Sequence, residues 1–302
     1  TNGGDIDVSG DFTNQDTYSN TSGSDLDIDG TLLNDWSCTL NNGGHMSIDD
    51  AITNNGTISN SDTMVIGNGF NNSAGSSTLN NTGTIIVDTD SNNYASVLNN
   101  GNVTGTGEVE IELFLKGGKW HYVSVPVQNA SSNIFSGAAL YSYNEFTDSW
   151  TAHGPNETLQ PFKGYDVYYQ QDHTVTIKGT LATGTFSNSM LTNNNDGYNL
   201  VGNPYLATID WNHWSFSRSN LDNAVYIWDA DRQNVATYVN SVATHGGSRY
   251  IPPMQAFFVK VNSSKSSGSV SMSENVCVDI NSVAFRKEEK ANDVLRLTLK
   301  SE

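Results

Sequence analysis

The stretch HMSIDDAITNNGTISN, residues 45–60, carries apolar side chains at Met46, Ile48, Ile52 and Ile58 and ends on Asn60. Met46 and Ile48 alternate across a polar residue, the period-2 pattern of a short strand with one buried face. The doublet returns as Ile6 with Val8, Leu26 with Ile28, Met64 with Ile66 and Ile85 with Val87. A third apolar position follows at Phe12, Leu32, Ile52 and Phe70, and a fourth precedes an asparagine at Tyr18, Leu40, Ile58, Leu79 and Leu98. The asparagines at this phase, Asn2, Asn20, Asn42, Asn60, Asn81 and Asn100, recur every 18 to 22 residues.

A period near 20 with strand doublets between Asn and Gly corners predicts a parallel β-solenoid over residues 1–115, each coil laying short strands on the coil below. Right-handedness is the expectation from chain chirality. Leucine-rich repeats share the period but demand more Leu. Asn suits a fixed corner because it tolerates left-handed backbone angles and can hydrogen-bond to its equivalent one coil away.

Composition fits an all-β chain. Charged residues make up only 15%, whereas there are 38 Asn and 27 Gly, so polarity comes from short uncharged turn formers. No Lys or Arg precedes Lys116, while residues 1–115 hold 13 Asp and 3 Glu, so an acidic block of charge −16 joins a nearly neutral one of −2. Nucleic acid and anionic membrane surfaces are therefore unsuited as partners. No apolar run approaches the ~20 residues of a membrane span, so direct membrane insertion is not expected. Thr1 reads as an internal start and NDVLRLTLKSE at the other end as a strand without its partner, so the chain is expected to be part of a longer exported protein.

Asp5 is expected to stack over Asp25, and Asp7 over Asp27, at ~4.8 Å per coil. Each such pair repels by on the order of 1 kcal/mol in water, so Ca²⁺ or a saline medium would stabilise the column; the alternative is a solvated acidic face. Catalysis on the solenoid lacks support. A lyase needs a cation, this segment has none, and its one His is His45. Cys38 alternates with Trp36 and Leu40 and reads as a buried small apolar residue rather than as a disulfide partner of Cys277.

From residue 116 a longer repeat begins. GGKWHYVSVPVQNA, residues 117–130, overlays DGYNLVGNPYLATIDWN, residues 196–212, placing Trp120 on Tyr198, Val123 on Val201, Ser124 on Gly202 and Pro126 on Pro204. LYSYNEFTDSW from 140 then matches VYIWDADRQNVATY from 225, LQPFKGYDVYY from 159 matches YIPPMQAFFVKV from 250, and HTVTIKG from 173 matches GSVSMSE from 268. Four elements recurring in order predict an antiparallel β-sandwich or barrel over 116–280, with related halves at about 116–188 and 196–275. SMLTNNND, residues 189–196, is the expected connecting loop, and residues 281–302 a linker and the first strand of a following domain.

Candidate chemistry here is sparse. GNP lacks the Lys and Ser/Thr of a phosphate loop, the six His show no ligand spacing, and no Ser or Cys has a recognisable nucleophile context. Asp229 and Asp231 in WDADRQN could face a cation, although a hairpin turn explains them as well. Sugar rings stack on exposed aromatics, which makes Trp211, Trp214 and Trp150 candidate glycan contacts; packing is the alternative.

Taken together, the Asn/Gly repeats, WHYVSVP, GYNLVGNPY, DNAVYIWD and IPPMQAFFV resemble the large multidomain surface proteins that Bacteroidota export by the type IX secretion system. The resemblance covers about residues 1–280. One departure is Ala256, where that family usually has Gly before the paired Phe. The resemblance implies an extracellular, cell-surface chain of adhesive or structural modules and brings no catalytic set with it. The expectation is a non-enzymatic rigid spacer and contact module whose partners are other modules of the chain, identical subunits or surface glycans. A carbohydrate-binding accessory of a secreted glycan-active enzyme is the alternative, and no cofactor beyond Ca²⁺ is expected.

Overall fold

A computed structural model of the chain describes residues 1–73, 75–87 and 96–279. The expected linker and strand at 281–302 lie outside the described residues. Among the described residues the protein is all β, with two short 3-10 turns and no α-helix.

The first part is a parallel β-solenoid of about five turns. Each coil supplies three short strands, as in His45–Ile48, Ala51–Asn54 and Thr57–Asn60, and strands of equal phase pair in parallel into three sheets around one core. Met46 lies between Leu26 and Met64, Ile52 between Leu32 and Phe70, and Ile58 between Leu40 and Leu79. These side chains are buried. Each enclosed aliphatic group contributes about 1.5–3 kcal/mol relative to exposure.

Two asparagine ladders run through the stack. Along the first, the side-chain amide of Asn2 donates to Asn20, Asn20 to Asn42, Asn42 to Asn60 and Asn60 to Asn81, at 2.8–3.1 Å. The second, Asn14 to Asn34 to Asn54 to Asn72 to Asn99, has every step at 2.8 Å. Except at Asn99, each Nδ2 also donates to a backbone carbonyl further along the stack, as Asn42 does to Thr63, which points these amides in one direction. Burying a primary amide is tolerable only because its donors and acceptor are satisfied in this way.

The fifth coil departs from the expected phase. Its second strand begins only at Ser96, and Val97, not Leu98, is the buried residue opposite Phe70. Asn99 rather than Asn100 ends a ladder, and Val103 occupies the position assigned to Leu98 by packing in line with Leu79. The separation of Val87 from Ser96 is longer than in the other coils, and that insertion displaces the periodicity.

The coils do not end at a linker. The strand Glu108–Leu115 pairs in parallel with Thr84–Val87 on one side and antiparallel with His173–Leu181 on the other. One eight-stranded sheet therefore passes from the solenoid into the following unit. The core is continuous too, running from Leu26 through Ile111 to Val167 and Met254. The Leu206 carbonyl accepts from Val97 N at 2.6 Å, and Glu274 Oε1 accepts from Asn99 Nδ2 at 2.9 Å, so the second ladder terminates on a carboxylate.

The following unit is sandwich-like and internally duplicated. In the first half-sheet Lys119–Val123 neighbours Tyr165–Tyr169, then Ala139–Asn144, then Ser149–Ala152. In the second, Tyr198–Gly202 neighbours Ala256–Lys260, then Ala224–Asp229, then Asn234–Val239, which is the same order. The halves meet reciprocally. Val123 bridges Gln255 and its counterpart Val201 bridges Lys163; Ser124 N donates to Met254 O at 3.0 Å and Gly202 N to Phe162 O at 3.1 Å. A Cβ on Gly202 would lie 2.6 Å from that of Ser124, so the glycine of GNP is required by this crossing. Asn203 turns the chain by accepting from Tyr205 N and donating to Ala207 O and Pro252 O. The motif is architectural. Ala256 sits where a Cβ on Gly164 would approach it to 2.8 Å, so the small residue of this pair is supplied by the opposite half.

The expected connecting loop is shorter than its sequence suggests. Ser189–Thr192 completes the strand Phe186–Thr192, which pairs with Ser267–Met272. The remaining turn is held by buried Glu145, whose carboxylate accepts from Thr192 Oγ1 and from the backbone N–H groups of Asn194, Asn195 and Gly197. Burial raises the carboxyl pKa, but these hydrogen bonds outweigh it and hold the group below its ordinary value. Both thiols are free, and Cys38 is buried.

Candidate functional site

Alternation places two chemistries on the two faces of each half-sheet. In Lys119–Val123, His121 and Val123 are buried, whereas Trp120 and Tyr122 lie on the other face. Register puts Tyr168 opposite Trp120, Asp166 opposite both Tyr122 and Tyr141, and Trp150 opposite Tyr143. In the second half Phe257 and Val259 are buried, while Phe258 lies opposite Tyr226.

The aromatic faces of the two halves meet. Tyr122 is 5.5 Å from Phe258 and 6.3 Å from Trp228, and Tyr143 is 5.6 Å from Phe258. Trp228 Nε1 donates to Trp120 O at 3.0 Å. Further rings extend the contact, Tyr168 at 5.1 Å from Trp120 and Tyr198 at 5.3 Å from Tyr226. The result is a seam of ten aromatic side chains from both halves, none of them fully buried. Trp120 is 38% and Trp150 39% exposed, so indole faces reach solvent. Tilted and edge-to-face ring pairs stabilise one another by about 0.5–1.5 kcal/mol each, which holds the rings in place without covering them.

Beneath the rings lies Asp166. It is 9% exposed and its Oδ1 has no hydrogen-bond partner. Burial pushes its carboxyl up to about 7, and burial followed by the Asp166 charge raises the Tyr122 hydroxyl. At the rim the Lys260 ammonium lies 4.6 Å over the Tyr198 ring. Flat, half-exposed π faces of this kind suit the apolar CH faces of sugar rings or apolar protein surface.

The residues singled out in the sequence distribute unevenly. Trp150 belongs to the seam. Trp211 does not qualify as a platform: it is wholly enclosed, 4.9 Å from Phe216, with the Arg218 guanidinium 4.2 Å over its ring and Nε1 donating to Asn223 Oδ1 at 3.2 Å. Trp214 is 85% exposed, with His213 beside it, and takes part in none of the seam contacts. Sequence proximity in WNHW therefore joined a core residue to a surface one.

Among the acids, Asp7 does lie opposite Asp27, and Asp5 and Asp25 are exposed at the preceding phase. The column stops there, because the next coil places His45 and Ser47 opposite Asp25 and Asp27. Asp229 and Asp231 do not converge on a cation site. Asp229 is buried and binds Arg232 Nη1 at 2.8 Å and the backbone N–H groups of Asp231 and Arg232, while Asp231 binds Lys119 Nζ at 2.8 Å. The chain itself supplies the positive charge. Among the described residues no group of three or more His, Cys, Asp or Glu side chains could hold a metal ion.

In sequence the alternations Tyr141/Tyr143 and Tyr226/Trp228 signal strands, and a strand signal alone does not expose the seam. Aromatic doublets recurring on Lys119–Val123, Ala139–Asn144 and Ala224–Asp229 are the available sign of an aromatic face. No protein-family model, curated protein or solved structure matches the chain.

Proposed function

We propose that this chain is a structural and adhesive segment of an extracellular surface protein. The acidic solenoid acts as a rigid spacer and the duplicated unit as the contact module. The observation that carries the reading is the aromatic seam, whose first half-sheet packs its buried face into the core it shares with the solenoid. A contact face joined this way cannot swing on a linker, which suits presentation at a distance. The seam takes polysaccharide by stacking and catalyses no reaction. The resemblance to type IX-secreted surface proteins supports the cell-surface location. The outer edge of the first coil, where Ile6 is 39% exposed, is where another module or an identical subunit would add.

The carbohydrate-binding accessory reading draws on the same seam and differs in placing an enzyme elsewhere in the polypeptide. Affinity electrophoresis against a polysaccharide panel tests the shared core of both. Retardation lost in the Trp120→Ala/Trp150→Ala double variant, with an unchanged melting curve, is the expected result. No retardation by any polysaccharide, or equal retardation of the variant, overturns the seam as a glycan contact.

A further inference from the structure

On the opposite face of the strand that carries Tyr141 and Tyr143, a second group of side chains carries chemistry of its own. Ser142 Oγ lies 2.8 Å from His153 Nε2, and His153 Nδ1 lies 2.6 Å from Glu157 Oε2. That is the order and spacing of a nucleophile, a general base and the carboxylate that orients it, a constellation defined by geometry rather than by sequence position. Ser142 comes from the strand Ala139–Asn144, His153 directly follows Ser149–Ala152, and Glu157 closes the turn Gly154–Glu157.

The carboxylate is held from its other oxygen, since Gly154 N donates to Glu157 Oε1 at 2.7 Å, and Ser132 Oγ accepts from Glu157 N at 3.0 Å. Hydrogen bonds from His153 and then Gly154 keep the Glu157 carboxyl below its ordinary value, so it is an anion at neutral pH. An anion there selects the tautomer with the proton on Nδ1, leaving Nε2 free to accept from Ser142.

The second observation is a cavity of about 750 Å³ onto which both Ser142 and His153 open. Its wall combines Phe162, Phe186 and Leu200 with the amide-bearing residues Asn188 and Gln160. An apolar patch beside amide groups matches an acyl chain on one side and a hydroxyl-rich alcohol on the other. Lys163 lines the same cavity, with its ammonium 5.8 Å over the Tyr165 ring.

We propose that Ser142, His153 and Glu157 form a hydrolytic site for carboxylic esters of polyhydroxy alcohols. Ser142 Oγ forms a bond to the acyl carbon while its proton passes to His153 Nε2. The tetrahedral intermediate collapses by breaking the bond to the alcohol oxygen, and the alcohol leaves with that proton. Water then attacks the acyl-serine, giving a proton to His153 and its oxygen to the acid product, and Ser142 recovers its proton. Ester and water become acid and alcohol. Ser142 and His153 are the catalytic residues, and Glu157 is a positioning residue.

The test uses the chain with 4-nitrophenyl acetate and a fluorophosphonate probe. Expected are turnover above the buffer rate, a fluorophosphonate adduct mapped to Ser142 by mass spectrometry, and at least ~10²-fold slower turnover in Ser142→Ala and His153→Ala. Glu157→Gln lowers kcat with little change in KM, and Glu157→Asp recovers part of the loss. The adduct is read on the unsubstituted protein, so misfolding of a variant cannot mimic failure. No adduct at Ser142, or turnover unchanged by Ser142→Ala, overturns the proposal. Neither outcome bears on polysaccharide binding at the seam.

Discussion

Asn41 and Asn42 are adjacent, chemically identical and placed on opposite faces of one strand, which makes them a controlled test of the ladders. Asn42 is buried; it accepts from Asn20 Nδ2 at 3.0 Å and donates to Asn60 Oδ1 at 2.8 Å and Thr63 O at 2.9 Å. Asn41 is half-buried on the outer face and makes one hydrogen bond, to Ser19 Oγ at 3.3 Å. At about 1 kcal/mol net per hydrogen bond, Asn42→Ala costs about 3 kcal/mol, with an added contribution from leaving Asn60 Oδ1 without its donor. Asn20 retains its donation to His45 O at 2.7 Å, which caps the loss. Asn41→Ala removes one long hydrogen bond on the outer face and costs at most about 1 kcal/mol. Urea unfolding followed by circular dichroism gives both values from midpoint shifts at constant slope. Equal midpoints for the two variants would refute the idea that the buried ladder, rather than Asn content, stabilises the coils.

Two predictions concern pH. Asp166 has a folded pKa above its unfolded one, so its contribution is fully present below the unfolded value near 3.8 and lost as pH rises through about 7. Asp166→Asn is therefore expected to stabilise the protein at pH 8, by up to roughly 4 kcal/mol at ~1.4 kcal/mol per pH unit, and to change little at pH 4; thermal melts at the two pH values check this. Glu145 is the opposite case. Its folded pKa lies below the unfolded value near 4.5, so its stabilisation is present above that value and lost as pH falls through the folded pKa. Glu145→Gln should lower the urea midpoint at pH 7, with the gap to the unsubstituted protein narrowing towards pH 3.

Much of the architecture was legible because the solenoid repeats both its apolar phase and its corner residue. Met46, Ile52 and Ile58 each face the residues their spacing implies. The second ladder recurs as regularly as the first over Asn14, Asn34, Asn54 and Asn72, and was overlooked because one asparagine phase accounted for the period. Leu98 and Asn100 were misplaced because regular spacing was extrapolated across a coil with an insertion. In the second unit the order of motifs predicts equal strand order in the halves, since each motif marks a strand or a pair of strands. Which faces meet is a matter of how the sheets cross, and so the seam was not legible. Nor was the Ser142, His153 and Glu157 relay, because the bend that returns His153 to Ser142 is made by strand pairing, not by local spacing.

The strand Glu108–Leu115 has a mechanical consequence. Seven of its residues are in register with His173–Leu181 and four with Thr84–Val87, so it is clamped along both edges. A pull along this strand would load both rows in shear, with many hydrogen bonds resisting together, rather than opening them singly from one end. The junction between the coils and the duplicated unit is thus built as a splice that resists separation along the strand.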